Sequence, residues 1–210
     1  MTQFHIKFPW AICPRRMVPK TEVEIPEEEF KWLANGRKSS NCAPVALVSS
    51  IGWSVISPID VSLSPIDDVQ FKCIDSELEN TMSTLGLAEV WRRGESFIGL
   101  KSKSGLRLFD FKVDDHWEPM FLPNGEGTIE WRLGFDIILD TGLYVWIQGA
   151  EFEGLDVVQG IISSKILSRM SKTGFSIAIR PTGAVHIRAG DTIARIFIVN
   201  KDFIKLNSGC

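Results

Sequence analysis

Histidine is scarce in this chain: three occur in 210 residues, His5, His116 and His186, and none stands in a His-x-Asp step. Asp114 and His116 share a face if their segment is extended and with His186 are the alternative ligand set for a 2-His-1-carboxylate metal site, but the favoured reading is an exposed acidic turn and no metal. The four cysteines (Cys13, Cys42, Cys73, Cys210) are widely spaced, with no Cys-x-x-Cys step and no Cys/His pairing of zinc type. Free structural thiols in a reducing compartment are expected, and with them a cytoplasmic location. No apolar run reaches the roughly 18 residues of a membrane helix, so no membrane partner is expected. The opening MTQFHIKFPWAICPRR places its charges after its apolar residues, the reverse of a secretory leader. A net charge of −3 supplies no basic face and gives no reason to expect nucleic acid. There is no Gly-x-Ser-x-Gly elbow and no Walker-type phosphate loop, and no motif names a cofactor. Tyrosine occurs once against seven Trp and thirteen Phe, an aromatic load that belongs mostly in a core.

What is present is a run of strands between Trp131 and Val199. WRLGFDIIL, GLYVWIQG, VVQGIISS, GFSIAIRP and AVHIRAGDTIARIFIV are short, rich in β-branched and aromatic residues, and bounded by Gly, Pro, Asp or Thr. The last, after Ala189-Gly190-Asp191, is so continuously apolar that it should be buried on both faces. Upstream, Phe4, Ile6 and Phe8 alternate as an opening strand, interrupted by Pro9, Pro14 and Pro19. A short helix is predicted from Pro26 to Gly36, and a second behind Asn41 with Pro44 in its first turn. WSVISP and Val61-Ser62-Leu63 read as strands, residues 75–90 as a surface loop or short helix, FIGLKSKSGLRLFDF as a hairpin, and Asn124-Gly125 as a turn. The fold class is mainly β: an antiparallel β-sandwich or jelly-roll-like domain, with a β-clip-like variant open, and one or two short N-terminal helices. Residues 1–210 are expected to form a single domain, with 1–50 as an N-terminal arm and short-helix elaboration.

The polar interruptions of these strands are the candidate ligand-binding residues. Arg15 and Arg16 follow a Cys-Pro turn and carry forks suited to carboxylate or phosphate. His186 and Arg188 share one strand face, and Arg195 falls among Ile193, Phe197 and Val199. A guanidinium on such a strand needs a partner. That partner is either an internal acid, Asp136, Asp140 or Glu151, or a bound anion or polar small molecule. Trp53 and Trp146 would supply apolar walls.

Ala189-Gly190-Asp191-Thr192-Ile193-Ala194-Arg195-Ile196 resembles the last strands of the dUTPase and dCTP-deaminase β-clip proteins, with Arg195 where those enzymes carry Gln. The whole layout is similar to an uncharacterised family of β-rich bacterial and phage proteins, through Cys13-Pro14-Arg15-Arg16, Cys42-Ala43-Pro44 running to Gly52-Trp53, and the aromatic strand Gly142 to Gly149. Thr141 departs from the Pro expected before Gly142. This resemblance implies a β-rich cytosolic domain and no particular activity. The expected function is a non-enzymatic binding or accessory protein whose β scaffold holds a small polar or anionic ligand or a protein partner. The alternatives are an enzyme on a cupin or β-clip scaffold, metal-dependent or nucleotide-directed, and an oligomeric structural protein, a homo-oligomer.

Overall fold

A computed structural model of the chain describes residues 2–17, 43–170 and 172–202. The first elements are β1 (Gln3–Ile6), β2 (Arg15–Arg16), α1 (Ala43–Ile51), β3 (Gly52–Ile56), β4 (Val61–Leu63) and β5 (Asp68–Phe71). Next come α2 (Leu78–Leu85), β6 (Glu89–Arg93), β7 (Ser96–Leu100), β8 (Phe111–Val113), β9 (His116–Glu118), β10 (Phe121–Gly125) and β11 (Thr128–Arg132). The last are β12 (Phe135–Ile138), β13 (Leu143–Gly149), β14 (Leu155–Val157), β15 (Gly160–Ser163), α3 (Ser164–Met170), β16 (Ser176–Pro181), β17 (Val185–Ile187) and β18 (Thr192–Asn200). The protein is mainly β, built from several antiparallel sheets in a β-sandwich-like arrangement.

The five-stranded sheet runs β15-β13-β18-β3-β2, and a four-stranded sheet runs β10-β11-β16-β14. A three-stranded sheet, β5-β7-β6, and the pairs β1-β12, β17-β4 and β8-β9 complete the described strands. One buried cluster draws on nearly all of these, from Val55 on β3 through Leu100, Phe121, Trp131 and Val145 to Ile196 on β18. β18 lies at the centre of its sheet, and Ile193, Ala194, Ile196 and Phe197 are all buried, so its continuous apolar run meets packing on both faces as expected.

Several boundaries differ from the sequence expectation for local reasons. WRLGFDIIL is two strands, because Gly134 takes φ +70° under the ring of Trp10 and breaks the run between β11 and β12. VVQGIISS divides between β14 and β15 and then enters a helix, α3, whose start is marked by Ser163 Oγ accepting from the Ile166 amide (3.4 Å). The hairpin placed across Ser104-Gly105 actually forms between β6 and β7, across Gly94 at φ +59°. The turn after β10 sits two residues past Asn124, at Glu126 and Gly127 (φ +55° and +72°), both left-handed as a tight right-twisted hairpin requires. The helix behind Asn41 forms as α1, whereas the expected Pro26–Gly36 helix lies outside the described residues. Residues 75–90 hold α2, closed by Gly86 in the left-handed region. Cys13 and Cys73 are free thiols, and burial raises the Cys13 pKa. Among the described residues no helix is long and apolar enough to cross a membrane.

Candidate functional site

The loop that failed to become a hairpin strand forms one wall of a cavity. Leaving β7, Lys101 donates from its backbone to the Asp67 carbonyl (3.3 Å) and from Nζ to the Asp67 carboxylate (2.9 Å). Three residues on, Glu89 Oε2 accepts from both the amide and the hydroxyl of Ser104, each at 2.9 Å. Gly105, at φ +69°, then turns the chain into a short 3-10 turn, Leu106–Phe109, whose first amide donates to Ser104 Oγ (3.3 Å). Glu89 is held in turn by Trp91 Nε1 at 2.7 Å, and Arg107 lies over the Trp91 ring at 4.3 Å. Lys101-Ser102-Lys103-Ser104-Gly105 is thus tied at both ends.

Opposite it stand β4 and the segment after it. The cavity, about 190 Å³, is lined by Ser62, Ser64, Ser102, Ser104, Lys103 and Asp67, with Leu63, Leu100, Leu106 and Ile129 as its apolar part. Lys101 already neutralises Asp67, while Lys103 forms no ion pair or hydrogen bond with any described residue. With the Ser104 hydroxyl given to Glu89 and that of Ser62 paired with His186, the cavity offers the hydroxyls of Ser64 and Ser102 and one ammonium that no described acid answers. That suits a small oxyanion, because hydroxyls and Lys donate to such oxygens.

The residues expected from the sequence to act together fall in three places. His186 is the middle residue of β17 and Arg188 follows it; His186 Nδ1 lies 3.0 Å from the hydroxyl of Ser62, so His186 stands beside the cavity. The Arg188 amide is taken by Asp191 (2.8 Å) in the turn into β18. Arg16 and Trp53 pair across β2 and β3, with the Arg16 guanidinium 3.9 Å over the Trp53 ring and donating to the Ser50 carbonyl (3.1 Å). Arg15, Arg195 and Trp146 lie on the opposite face of that sheet, so Arg15 and Arg16 part company and the two Trp rings do not form one wall. None of the acids considered for Arg195 binds it: Asp136 faces Lys7 at 3.9 Å, and the Arg195 guanidinium has no ion pair or hydrogen bond among the described residues. Burial raises the Asp136 pKa, opposed in part by Lys7 and His5.

Asp114, His116 and His186 are not gathered either. Among the described residues no three His, Cys, Asp or Glu side chains are placed to hold a metal ion. Asp114 takes φ +51° at the tip of the β8–β9 hairpin, and His116 Nε2 lies 3.1 Å from Glu118. Glu118 also accepts from Arg132 Nη1 (2.8 Å) and lies 3.8 Å from Lys172. This is a charged clasp. Burial opposes the Glu118 charge, but the hydrogen bond and charge of Arg132, with His116 and Lys172, hold its pKa below the ordinary glutamate value. A carboxyl depressed in the folded state adds stability above its unfolded pKa, and that stability is lost as pH falls through the folded value. Replacing Arg132 with Met is expected to cost about 1–2 kcal/mol at neutral pH. It should also flatten the acid limb of a urea-midpoint series below about pH 5; an acid limb identical to that of the parent would show that the clasp adds nothing.

The cavity's key loop was missed in the sequence because KSKSG sits between two apolar runs and imitates a hairpin turn. The usable signal was its composition, two Lys and two Ser ending in Gly, which suits a loop that presents donors.

No family model and no curated protein matches the sequence. Among solved structures, the chain is similar to a point mutant of the dUTPase from phage phi11 of S. aureus at 10% identity and TM-score 0.41, covering 95% of this chain and 90% of that one. It is also similar to the Staphylococcus bacteriophage 80alpha dUTPase at 11% identity and TM-score 0.42, with the same coverages. The native EIAV dUTPase overlaps at 12% identity and TM-score 0.34, over 71% and 75% of the two chains.

Proposed function

We propose that the chain is a non-enzymatic binding protein for a small phosphate-bearing molecule, seated in the cavity between the β4–β5 segment and the 101–105 loop. One observation carries this: Lys103 and four serines line a shared cavity whose one carboxylate among the described residues, Asp67, is already paired with Lys101. At about 190 Å³ the space is below the several hundred Å³ of typical drug-sized ligand sites, and it fits a phosphate group with a small appendage better than a large cofactor. Ser102 and the ammonium of Lys103 would donate to the phosphate, and Ser62, backed by His186, would close the other side.

Titration with inorganic phosphate and pyrophosphate at low ionic strength, followed by amide chemical shifts, tests this reading. Shifts are expected at Ser62, Ser64 and Ser102, and Lys103→Gln is expected to weaken binding about ten-fold, a loss of the size of one charge-assisted contact. Equal affinity in Lys103→Gln would end the proposal. A second reading, an enzyme acting on the same phosphate compound, is favoured only by the His186–Ser62 pair at the cavity's edge. It requires turnover of a phosphate ester that His186→Gln abolishes while binding persists.

A further inference from the structure

The outer face of the five-stranded sheet carries a second arrangement that the cavity does not use. Directly opposed residues of an antiparallel ladder point to the same face. The registers Gln148↔Arg195, Arg195↔Ser54 and Ser54↔Arg15 therefore align these four side chains in one row across β13, β18, β3 and β2. Two residues along, Ile161↔Trp146, Trp146↔Phe197 and Phe197↔Gly52 make an adjoining apolar row. The other face of this sheet presents Val55, Val145, Ile147, Ala194 and Ile196 to the central core, whereas Phe197 lies outside that cluster. The rows thus share the side turned away from the core.

Among the described residues the positive charge of the polar row has no acidic partner. Neither Arg15 nor Arg195 forms an ion pair or hydrogen bond with a described residue, and no acid stands in either row. Both flank Ser54, one strand away on each side. With strands about 4.8 Å apart, their Cα atoms are about 10 Å apart, so two guanidinium forks can close on one oxyanion above the Ser54 hydroxyl. The apolar row begins about 7 Å further along the strands, one phenyl ring's reach from that point. There the buried Phe197 ring backs that of Trp146 at 5.5 Å, tilted at 44°, and Trp146 and the half-exposed Ile161 supply the reachable apolar surface. Arg16 cannot join, being stacked on Trp53 on the other face.

We propose that this face binds an amphipathic molecule with a single anionic head group, its phosphate or carboxylate clamped over Ser54 by Arg15 and Arg195 and its aromatic body laid against Trp146 and Ile161. The proposal uses none of the cavity residues and stands or falls separately from the phosphate cavity.

Phenyl phosphate, benzoate and inorganic phosphate, titrated in turn and followed by amide and indole chemical shifts, provide the test. At least one aromatic anion is expected to bind about ten-fold more tightly than inorganic phosphate, with shifts at the Ser54, Gln148 and Arg195 amides and the Trp146 indole. The tighter of the two identifies phosphate or carboxylate as the head group. Arg195→Lys, which keeps the charge but loses the fork, should weaken that probe about ten-fold. Arg15→Gln should do the same, and because Arg15 is exposed on a two-residue edge strand this variant will fold even if the other does not. Shifts confined to the Ser62, Ser64 and Ser102 amides, or unchanged affinity in Arg15→Gln, would overturn the proposal.

Discussion

An alanine at Phe135 is expected to lower the unfolding free energy by about 3–5 kcal/mol, the usual range for deleting a fully buried aromatic ring. Phe135 opens β12 with no exposed surface. Its ring lies 5.4 Å from that of Phe175 and 6.4 Å from that of Phe4, edge-on to the latter, and Phe4 in turn stands edge-on to Trp53 at 5.6 Å. The void would be walled by β1 on one side and by the segment leading into β16 on the other. Both are fixed by backbone bonds: the β1–β12 register pairs Ile6 with Phe135, and the Phe175 amide donates to the Phe135 carbonyl (2.6 Å). The walls therefore have little freedom to collapse into it. Urea unfolding of Phe135→Ala against Phe135→Leu is the measurement, with Phe135→Leu expected to lose about 1–2 kcal/mol. A loss below about 1 kcal/mol for the alanine would mean that β1 is not docked on β12 as described. Trp53 should also report, since loosening Phe4 removes one side of the ring on which Arg16 rests.

Sheet strands whose apolar residues face a core on one or both sides were legible in the sequence, and β13, β16 and β18 lie within a residue or two of their expected places. Their signal is local: β-branched and aromatic residues between Gly, Pro and Asp. What was illegible depended on partners far along the chain. Phe111 and Val113 follow the KSKSG loop with strand-like residues, but β7 is already paired with β6 and β5, so β8 turns to β9 instead. The 101–105 loop is then shaped by Asp67 and Glu89, side chains 34 and 15 residues from the groups they bind. Arg195 shows the same limit at a single residue. Alternation put it on the face of Ile193, but the register shift between Thr192 and Ala194 sends both Ile193 and Ala194 into the core. A bulge inserts one residue without any mark in composition, and every face assignment beyond it inverts. The two arginines of Cys-Pro-Arg-Arg were read as one unit, yet an edge strand must send neighbours to opposite faces. Only Arg15 reaches the outer row, and the row itself appears only when four strands are brought into register.

Gly174→Ala is expected to lower stability by about 2–4 kcal/mol through a contact that no neighbouring side chain can relieve. Gly174 sits at φ +83°, so any L side chain there carries the left-handed penalty of about 1 kcal/mol. An added Cβ would also stand 3.1 Å from the Gly134 Cα, the Gly134 carbonyl carbon and the Phe135 nitrogen, all backbone atoms. These two stretches are laced together on either side of the contact: the Leu133 amide donates to the Phe175 carbonyl (2.9 Å) and the Phe175 amide to the Phe135 carbonyl. Spreading them would stretch both bonds. Gly134 cannot retreat, because it is itself left-handed and covered by the Trp10 ring. Gly142 supplies the comparison, since it holds φ +87° with nothing within 4 Å of a built Cβ, so Gly142→Ala reports the backbone penalty alone. The excess of Gly174→Ala over Gly142→Ala in thermal or urea unfolding measures the backbone contact. An equal loss in the two variants would show that the segment leading into β16 can swing away from β12. The close packing that splits WRLGFDIIL into two strands would then be incidental, and not the constraint that sets where β12 begins.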